Sequence, residues 1–387
     1  MTKKGVYMKT ILFDLLEAQP ALTSKFHGGG EYIKAVFKNL VEKYVGEYIL
    51  VVFFNKNLFL DEWIYNIIND KHIKYYNVSS LSDVTDICIK EKVDIFYSGM
   101  PYYYKKELFP NNVQIKGTIH GIRFVEKPAD RYAYLYSNGK SSIKEYIKYL
   151  LPEVYKKRKI NQFRNNIKFI DELVCVSNHT KYSIKSHYPE IKDKKITVFY
   201  TPQKKAELSQ SESSPIDSKY ILIMGGDRWI KNSYRAILAF ETLFAGGYLS
   251  DYKIVVIGGL NEKIKKGIKN PAKYVIKGYV ETSELEELYK FCDVFVYPSL
   301  NEGFGMPPLE AMKYGKTCVV SGICSLPEVC GDAVYYVNPY DIDEMATRVL
   351  TAVNEKIDMN KVLQQFNKIY DRQKKDLDRL CEFIIED

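Results

Sequence analysis

One pattern is written twice along this chain: short apolar runs alternate with longer amphipathic stretches. The first series is TILFDL (10–15), YILVVFF (48–54), VDIFY (93–97), IKGTIH (115–120) and ELVCVS (172–177). The second is YILIMG (220–225), YKIVVIG (252–258), KYVIKG (273–278), DVFVYP (293–298), TCVVS (317–321) and AVYYV (333–337). These runs are rich in Val, Ile and Tyr and bounded by Gly, Pro or Ser, which predicts strands. Between them lie helical patterns such as EYIKAVFKNLVEKY (31–44) and SYRAILAFETLFAG (233–246). Strand–helix alternation predicts an α/β protein with parallel sheets covered by helices on both faces.

The segment QKKAELSQSESSPIDS (203–218) is polar, Ser-rich and interrupted by Pro, the chemistry of a linker. At ~150 residues per domain, 387 residues favour two domains. The expected division is a first doubly wound domain over 1–202, the linker 203–218, a second domain over 219–358, and a helical tail over 359–387 packing back toward the first domain. Two such domains would face one another, with a ligand in the cleft outside the carboxyl ends of the strands.

Several classes are disfavoured. The stretch Ile11–Leu16 is interrupted by Asp14 and has no small-residue cleavage site, so no secretory leader is expected. The longest strongly apolar run, 48–54, is far short of a spanning helix. Seven cysteines, at 88, 175, 292, 318, 324, 330 and 381, form no C-x-x-C pair. An odd count without that spacing predicts reduced thiols in the cytoplasm rather than a disulfide framework or structural zinc. Fifty-six Lys plus Arg against 48 Asp plus Glu leave +8, which permits an anionic partner without requiring one. No nucleic-acid motif and no full G-x-G-x-x-G is present. Two Asp-x-Asp pairs occur. Asp341 sits just before a helical pattern and reads as an N-cap with Asp343 beside it; Asp376 and Asp378 read as surface residues of the tail helix. No metal is expected at either.

The segment NEGFGMPPLEAMKYGKTCVVS (301–321) carries the most chemistry. A strand ends near Pro298, a loop with Gly303 and Gly305 follows, and Pro307 and Pro308 open a helix. Small residues allow a ligand to approach the backbone, and helix-start N–H groups attract anions. Glu302 in the loop and Glu310 in the helix read as two separate carboxylates around one ligand; a carboxylate can accept from two adjacent sugar hydroxyls. The plain alternative is a turn with a solvated acid.

EGFGMPPLEAM, a Glu-x7-Glu pattern from Glu302 to Glu310, resembles the donor-site signature of family-4 retaining glycosyltransferases, which have the GT-B fold. GGDRWIKNSYRAILAF (225–240) resembles the family's basic motif, and SLPEVCGDAVYYVNPYDIDEMA (325–346) its usual continuation. ELVCVSNHTKYSI (172–184) and HGGGEY (27–32) resemble first-domain features more weakly. The resemblance implies roles by position. Glu310 would hold the donor ribose. Glu302, with the backbone of Gly303, Phe304 and Gly305, would meet the transferred sugar. Arg228 and Lys231 would grip the diphosphate, where cations stabilise the charge that grows as the glycosidic bond breaks. Trp229 between them fits either core packing or a lip of the site. His120 holds the place of the family's His-Asp pair, with Gly121 in place of the Asp; it fits either a sugar contact or a structural hydrogen bond. Arg123 is a weaker phosphate candidate. Gly28, Gly29 and Gly30 fit a phosphate cradle or a plain helix start.

Residues 140–168 hold nine basic side chains against Glu145 and Glu153, interleaved with Tyr146, Ile147, Tyr149, Leu150, Leu151 and Tyr155. The segment fits a solvated surface with a core-facing stripe, or a basic amphipathic helix resting on an anionic membrane. The expected activity is metal-independent, retaining transfer of a hexosyl group from a nucleotide-diphosphate sugar to a glycan or lipid-linked glycan, in bacterial surface polysaccharide assembly, on the inner face of the membrane. The rivals are a nucleotide-sugar epimerase of the same fold and a non-catalytic module that binds anions.

Overall fold

A computed structural model of the chain describes residues 8–20, 28–44, 46–203 and 209–386. The first sheet contains β1 (Thr10–Asp14), β2 (Ile49–Phe54), β3 (Lys74–Asn77), β4 (Ile95–Ser98), β5 (Gln114–Ile119), β6 (Glu172–Cys175) and β7 (Ile196–Val198). Its order is β3-β2-β1-β4-β5-β6-β7, with every pair parallel. The second contains β8 (Lys219–Met224), β9 (Tyr252–Ile257), β10 (Tyr274–Lys277), β11 (Val294–Tyr297), β12 (Thr317–Ser321) and β13 (Tyr335–Val337), in the order β10-β9-β8-β11-β12-β13, again all parallel. Both sheets are doubly wound, as the alternation predicts. Chain order reverses between β1 and β4 in one sheet and between β8 and β11 in the other. Crevices beyond the strand ends at such points are where open α/β sheets bind ligands.

Every residue of β11 and β12 is buried, the pattern of strands covered on both faces. One face of the second sheet packs Ile221, Ile254, Val296 and Val319 against Phe240 of the helix Ser233–Ala245 and Met345 and Val349 of the helix Ile342–Asn354. This packing fixes the ends of β8 and β11, which carry the two basic and acidic loops singled out in the sequence.

The compact units do not follow simple chain order. One comprises 1–122, 160–204 and 372–387; the other 123–159 and 205–371. Residues 123–159, assigned above to the first domain, group with the second sheet. Arg235 makes a two-pronged pair with Asp130, Nη1 to Oδ1 at 3.0 Å and Nη2 to Oδ2 at 3.1 Å, both side chains buried. Tyr136 hydroxyl lies 3.0 Å from Ser233 Oγ, and Lys263 Nζ donates to Ser137 O.

The last helix, Met359–Ile385, belongs to the first unit from Arg372 onward. Gln373 Nε2 donates to Thr201 O at 2.6 Å, and buried Lys116 donates to the carbonyls of Phe383 and Glu386. Asp376 is not the surface residue its charged neighbours suggested: it is buried and accepts from Tyr200 N at 3.0 Å. Part of the expected linker, 204–208, lies outside the described residues. The remainder is docked rather than loose, since Ser209 N donates to Tyr314 hydroxyl and Lys290 Nζ donates to the carbonyls of Ser209 and Ser211.

Candidate active site

Beyond β8, Gly225 adopts φ +71°, and a Cβ there would stand 2.5 Å from Lys231 Cγ. The glycine therefore lets the Lys231 stem lie across the strand end. A short turn, Trp229–Lys231, carries Lys231, with Arg228 immediately before it. It is clamped to the end of β11: Leu300 N donates to Ile230 O, and Asn232, in the left-handed region at φ +62°, donates through Nδ2 to Pro298 O and Pro339 O.

This clamp brings Lys231 and Glu302 together. Lys231 Nζ lies 2.6 Å from Glu302 Oε1, with side chains only 11% and 12% exposed. Glu302 Oε1 also accepts from Tyr297 hydroxyl at 2.8 Å and Ser299 hydroxyl at 2.6 Å. Lys231 further donates to the Tyr297 hydroxyl. Two of its three N–H groups are thus used, and one is left for a ligand. Glu302 Oε2 meets no protein donor among the described residues.

Burial pushes the Glu302 carboxyl up, but the Lys231 charge and the three donors outweigh it and hold the group below its ordinary range. Burial likewise pulls the Lys231 ammonium down; Glu302 opposes this, while Arg228 and Arg123 add to it. Those two like charges therefore lie close enough to be felt. Arg228 is exposed and has no protein partner among the described residues. Trp229 is half-buried, between the two readings offered for it.

The loop after Glu302 is shaped by Gly305, whose φ is +111° and whose Cβ would stand 2.7 Å from Leu326 Cδ2. Phe304 is buried, and Ser325 Oγ donates to the carbonyls of Glu302 and Phe304. Only seven residues, Met306–Met312, form the helix that follows. Glu310 sits near its end, 3.8 Å from Lys313 Nζ, which is itself held by Glu286 at 2.5 Å. Asn301 Nδ2 donates to Glu126 Oε2 at 2.6 Å.

The remaining candidates lie in the first unit. His120 Nε2 donates to Gly99 O at 2.9 Å, its ring stands edge-on to Tyr32, and its backbone N–H is taken by Tyr102 hydroxyl. These contacts hold the ring at the end of β5. Gly29 and Gly30 open the helix Gly28–Tyr44. A Cβ at Gly29 would stand 2.1 Å from Met100 Sδ, so a larger residue there would have to displace Met100. His27 of the HGGGEY stretch lies outside the described residues. Asp341 accepts from Glu344 N at 2.9 Å, the predicted N-cap.

Tyr297, Ser299 and Ser325 were not singled out from the sequence. The available signal was YPS (297–299), polar residues at the carboxyl end of a strand directly ahead of Glu302. The contribution of 123–137 had no local signal.

Residues 204–369 match the family described as glycosyl transferases group 1. Over 78 residues, the chain is 45% identical to O-antigen chain mannosyltransferase B of Escherichia coli, covering 20% of each protein. Over 182 residues it is 26% identical to the O-antigen chain mannosyltransferase RfbU of Salmonella typhimurium, covering 46% of this chain and 49% of the relative. The matches thus span less than two thirds of these relatives' own length. A glycosyltransferase from Rickettsia africae superposes with a TM-score of 0.64 at 17% identity, covering 98% of both chains. WaaG, described as a glycosyltransferase involved in lipopolysaccharide biosynthesis, gives 0.63 at 13%, covering 97% of this chain and all of that one.

Proposed function

We infer that this chain, a GT-B protein whose residues 204–369 match the group 1 glycosyl transferases, is a glycosyltransferase of bacterial glycan assembly. It moves a hexosyl group from a nucleotide-diphosphate sugar to a hydroxyl of a glycan or lipid-linked glycan, in surface polysaccharide synthesis, with retention and without a metal. The observation that carries this reading is the cluster at the ends of β8 and β11. There an exposed cation, Arg228, neighbours a nearly buried one, Lys231, and a carboxylate, Glu302, has one oxygen that meets no donor among the described residues.

The chemistry follows from the charges. As the sugar–phosphate bond breaks, an electron pair and negative charge move onto the leaving diphosphate. Arg228 and the remaining N–H of Lys231 meet that charge, and because both are already positioned they favour the transition state over the ground state. Glu302 Oε2 accepts a hydroxyl of the transferred sugar, and Glu310 those of the donor ribose. With arginine and lysine neutralising the diphosphate, no divalent ion is required. The leaving phosphate takes the acceptor's proton on the face it departs from, which retains the anomeric configuration. His120, Gly29 and Gly30 are assigned to the donor's surroundings on the family resemblance, with Gly121 where that family carries Asp. The mannosyltransferase relatives make a nucleotide-diphosphate mannose the first donor to try. The unpaired cysteine thiols fit a reducing cytoplasm, and we place the enzyme there, against the inner membrane face.

The test is nucleoside diphosphate release from a panel of nucleotide sugars, with and without lipid-linked glycan. A transferase releases nucleotide in step with acceptor glycosylation, with the product anomer matching the donor, in the presence of chelator. Acceptor-independent change of the sugar would assign an epimerase. Nucleotide binding without turnover on any pair would assign a binding module.

A further inference from the structure

The helix Gly139–Leu150 continues almost directly into Pro152–Phe169, with Leu151 N donating to Ile147 O and Tyr155 N to Leu151 O across the junction. Ile143, Ile147 and Leu150 share one face of the first helix at steps of four and three; Leu151, at φ −126° and ψ 52°, separates the two helices, and Val154 lies in the first turn of the second. A core-facing stripe would be covered. This one is not: all five side chains are between 50% and 67% exposed. Single exposed apolar residues are ordinary, but five within one short segment spanning a helix junction form a cluster. Tyr146 and Tyr149, also exposed, stand beside it, and such rings combine an apolar body with a polar tip.

The surround is basic. Lys140, Lys144, Lys157 and Arg158 are exposed, and residues 140–168 hold nine cations against two acids, one of which, Glu145, is neutralised by Lys148 at 2.6 Å. The charge decides the occupant. A second copy seated on this face across a two-fold axis would set these cations against themselves, whereas an anionic bilayer complements them. Among the described residues no helix is long and apolar enough to cross a membrane, so the segment suits lying in the interface rather than spanning it.

We propose that residues 143–154 insert this apolar face into an anionic lipid surface, with the flanking lysines and Arg158 on the headgroups. The proposal deepens the membrane placement above and rests on it only for its biological purpose, namely presenting a lipid-linked acceptor. The test is co-sedimentation of the full chain with phosphatidylglycerol–phosphatidylcholine vesicles against pure phosphatidylcholine. Binding is expected only to the anionic vesicles and to weaken with salt. The Lys157→Gln/Arg158→Gln variant should bind about 30-fold more weakly, the factor for two headgroup-facing charges. The Leu150→Ser/Leu151→Ser variant should lose on the order of 100-fold. Both variants should keep the wild-type melting temperature and turnover on a water-soluble acceptor, which separates this proposal from the transfer reading. Failure to bind anionic vesicles, or binding unchanged in both variants, overturns it. A dimer in solution that the leucine variant dissociates also overturns it, assigning the face to a second copy.

Discussion

Replacing Lys231 with Met should expose how far Glu302 depends on it. In the wild type the Glu302 carboxyl lies below its ordinary value: burial pushes it up, and the Lys231 ammonium with the Ser299 and Tyr297 donors more than offsets that. A depressed carboxyl stabilises the fold above the unfolded value, about 4.3, and that contribution is lost only as pH falls through the native value. With Met at 231 the burial remains and the ammonium is gone, so the carboxyl should rise above the ordinary value and the sign reverses. The variant then loses stability as pH climbs from about 4.3 through the raised value. Removing one partner of a buried pair costs about 3–5 kcal/mol. Both side chains here are nearly nine-tenths buried, so that range applies without a large solvent discount. Urea unfolding of Lys231→Met should show a deficit of this size at pH 8 and one smaller by at least about 1 kcal/mol at pH 5. Adding Glu302→Gln should recover most of it. A deficit below about 1 kcal/mol at pH 8, or one equal at both pH values, would refute the reasoning.

Arg228→Ala should leave stability within about 0.5 kcal/mol, because the side chain is exposed, yet lower kcat/KM by about 100-fold; steady-state kinetics beside a melting curve tests both halves. Gly305→Ala should destabilise by about 1–3 kcal/mol, since an alanine would hold φ +111° and press on Leu326; denaturant unfolding measures it. Asp130→Asn should cost several kcal/mol by leaving buried Arg235 without its counter-ion, with rescue expected only when Arg235→Met is added. Glu17 is pushed up to about 7, chiefly by burial and then by the Asp14 charge. A raised carboxyl contributes stability below about 4.5 and loses it as pH rises through about 7, so Glu17→Gln should melt higher than wild type at pH 8 and not at pH 5.

Much of the fold is legible because buried parallel strands are nearly all apolar. β11 and β12 are recognisable from VFVY and TCVVS alone. The two strands without a sequence signal are edges. Lys74–Asn77 is mostly exposed and Ile196–Val198 has three residues, so neither shows a run or an alternation. The Glu302 loop was legible because glycine and proline punctuate it. Its partners Tyr297 and Ser299 were not, since a tyrosine closing an apolar strand looks like core. The grouping of 123–159 with the second sheet was hidden for a different reason. It depends on Asp130 meeting Arg235, 105 positions away, and on Tyr136 meeting Ser233, and no local composition marks such contacts. The stripe at 143–154 was visible as a pattern; only its exposure separates a lipid-facing surface from a core-facing one.

Calorimetric titration of the full chain with GDP and UDP, in wild type and in Arg228→Ala and Glu310→Gln, reaches the donor site most directly. One nucleotide should bind at a single site without added metal, and each substitution should weaken it by about tenfold or more, as expected when a charged hydrogen bond is lost. Equal affinity in all three proteins would contradict the assignment of the diphosphate to Arg228 and of the ribose to Glu310.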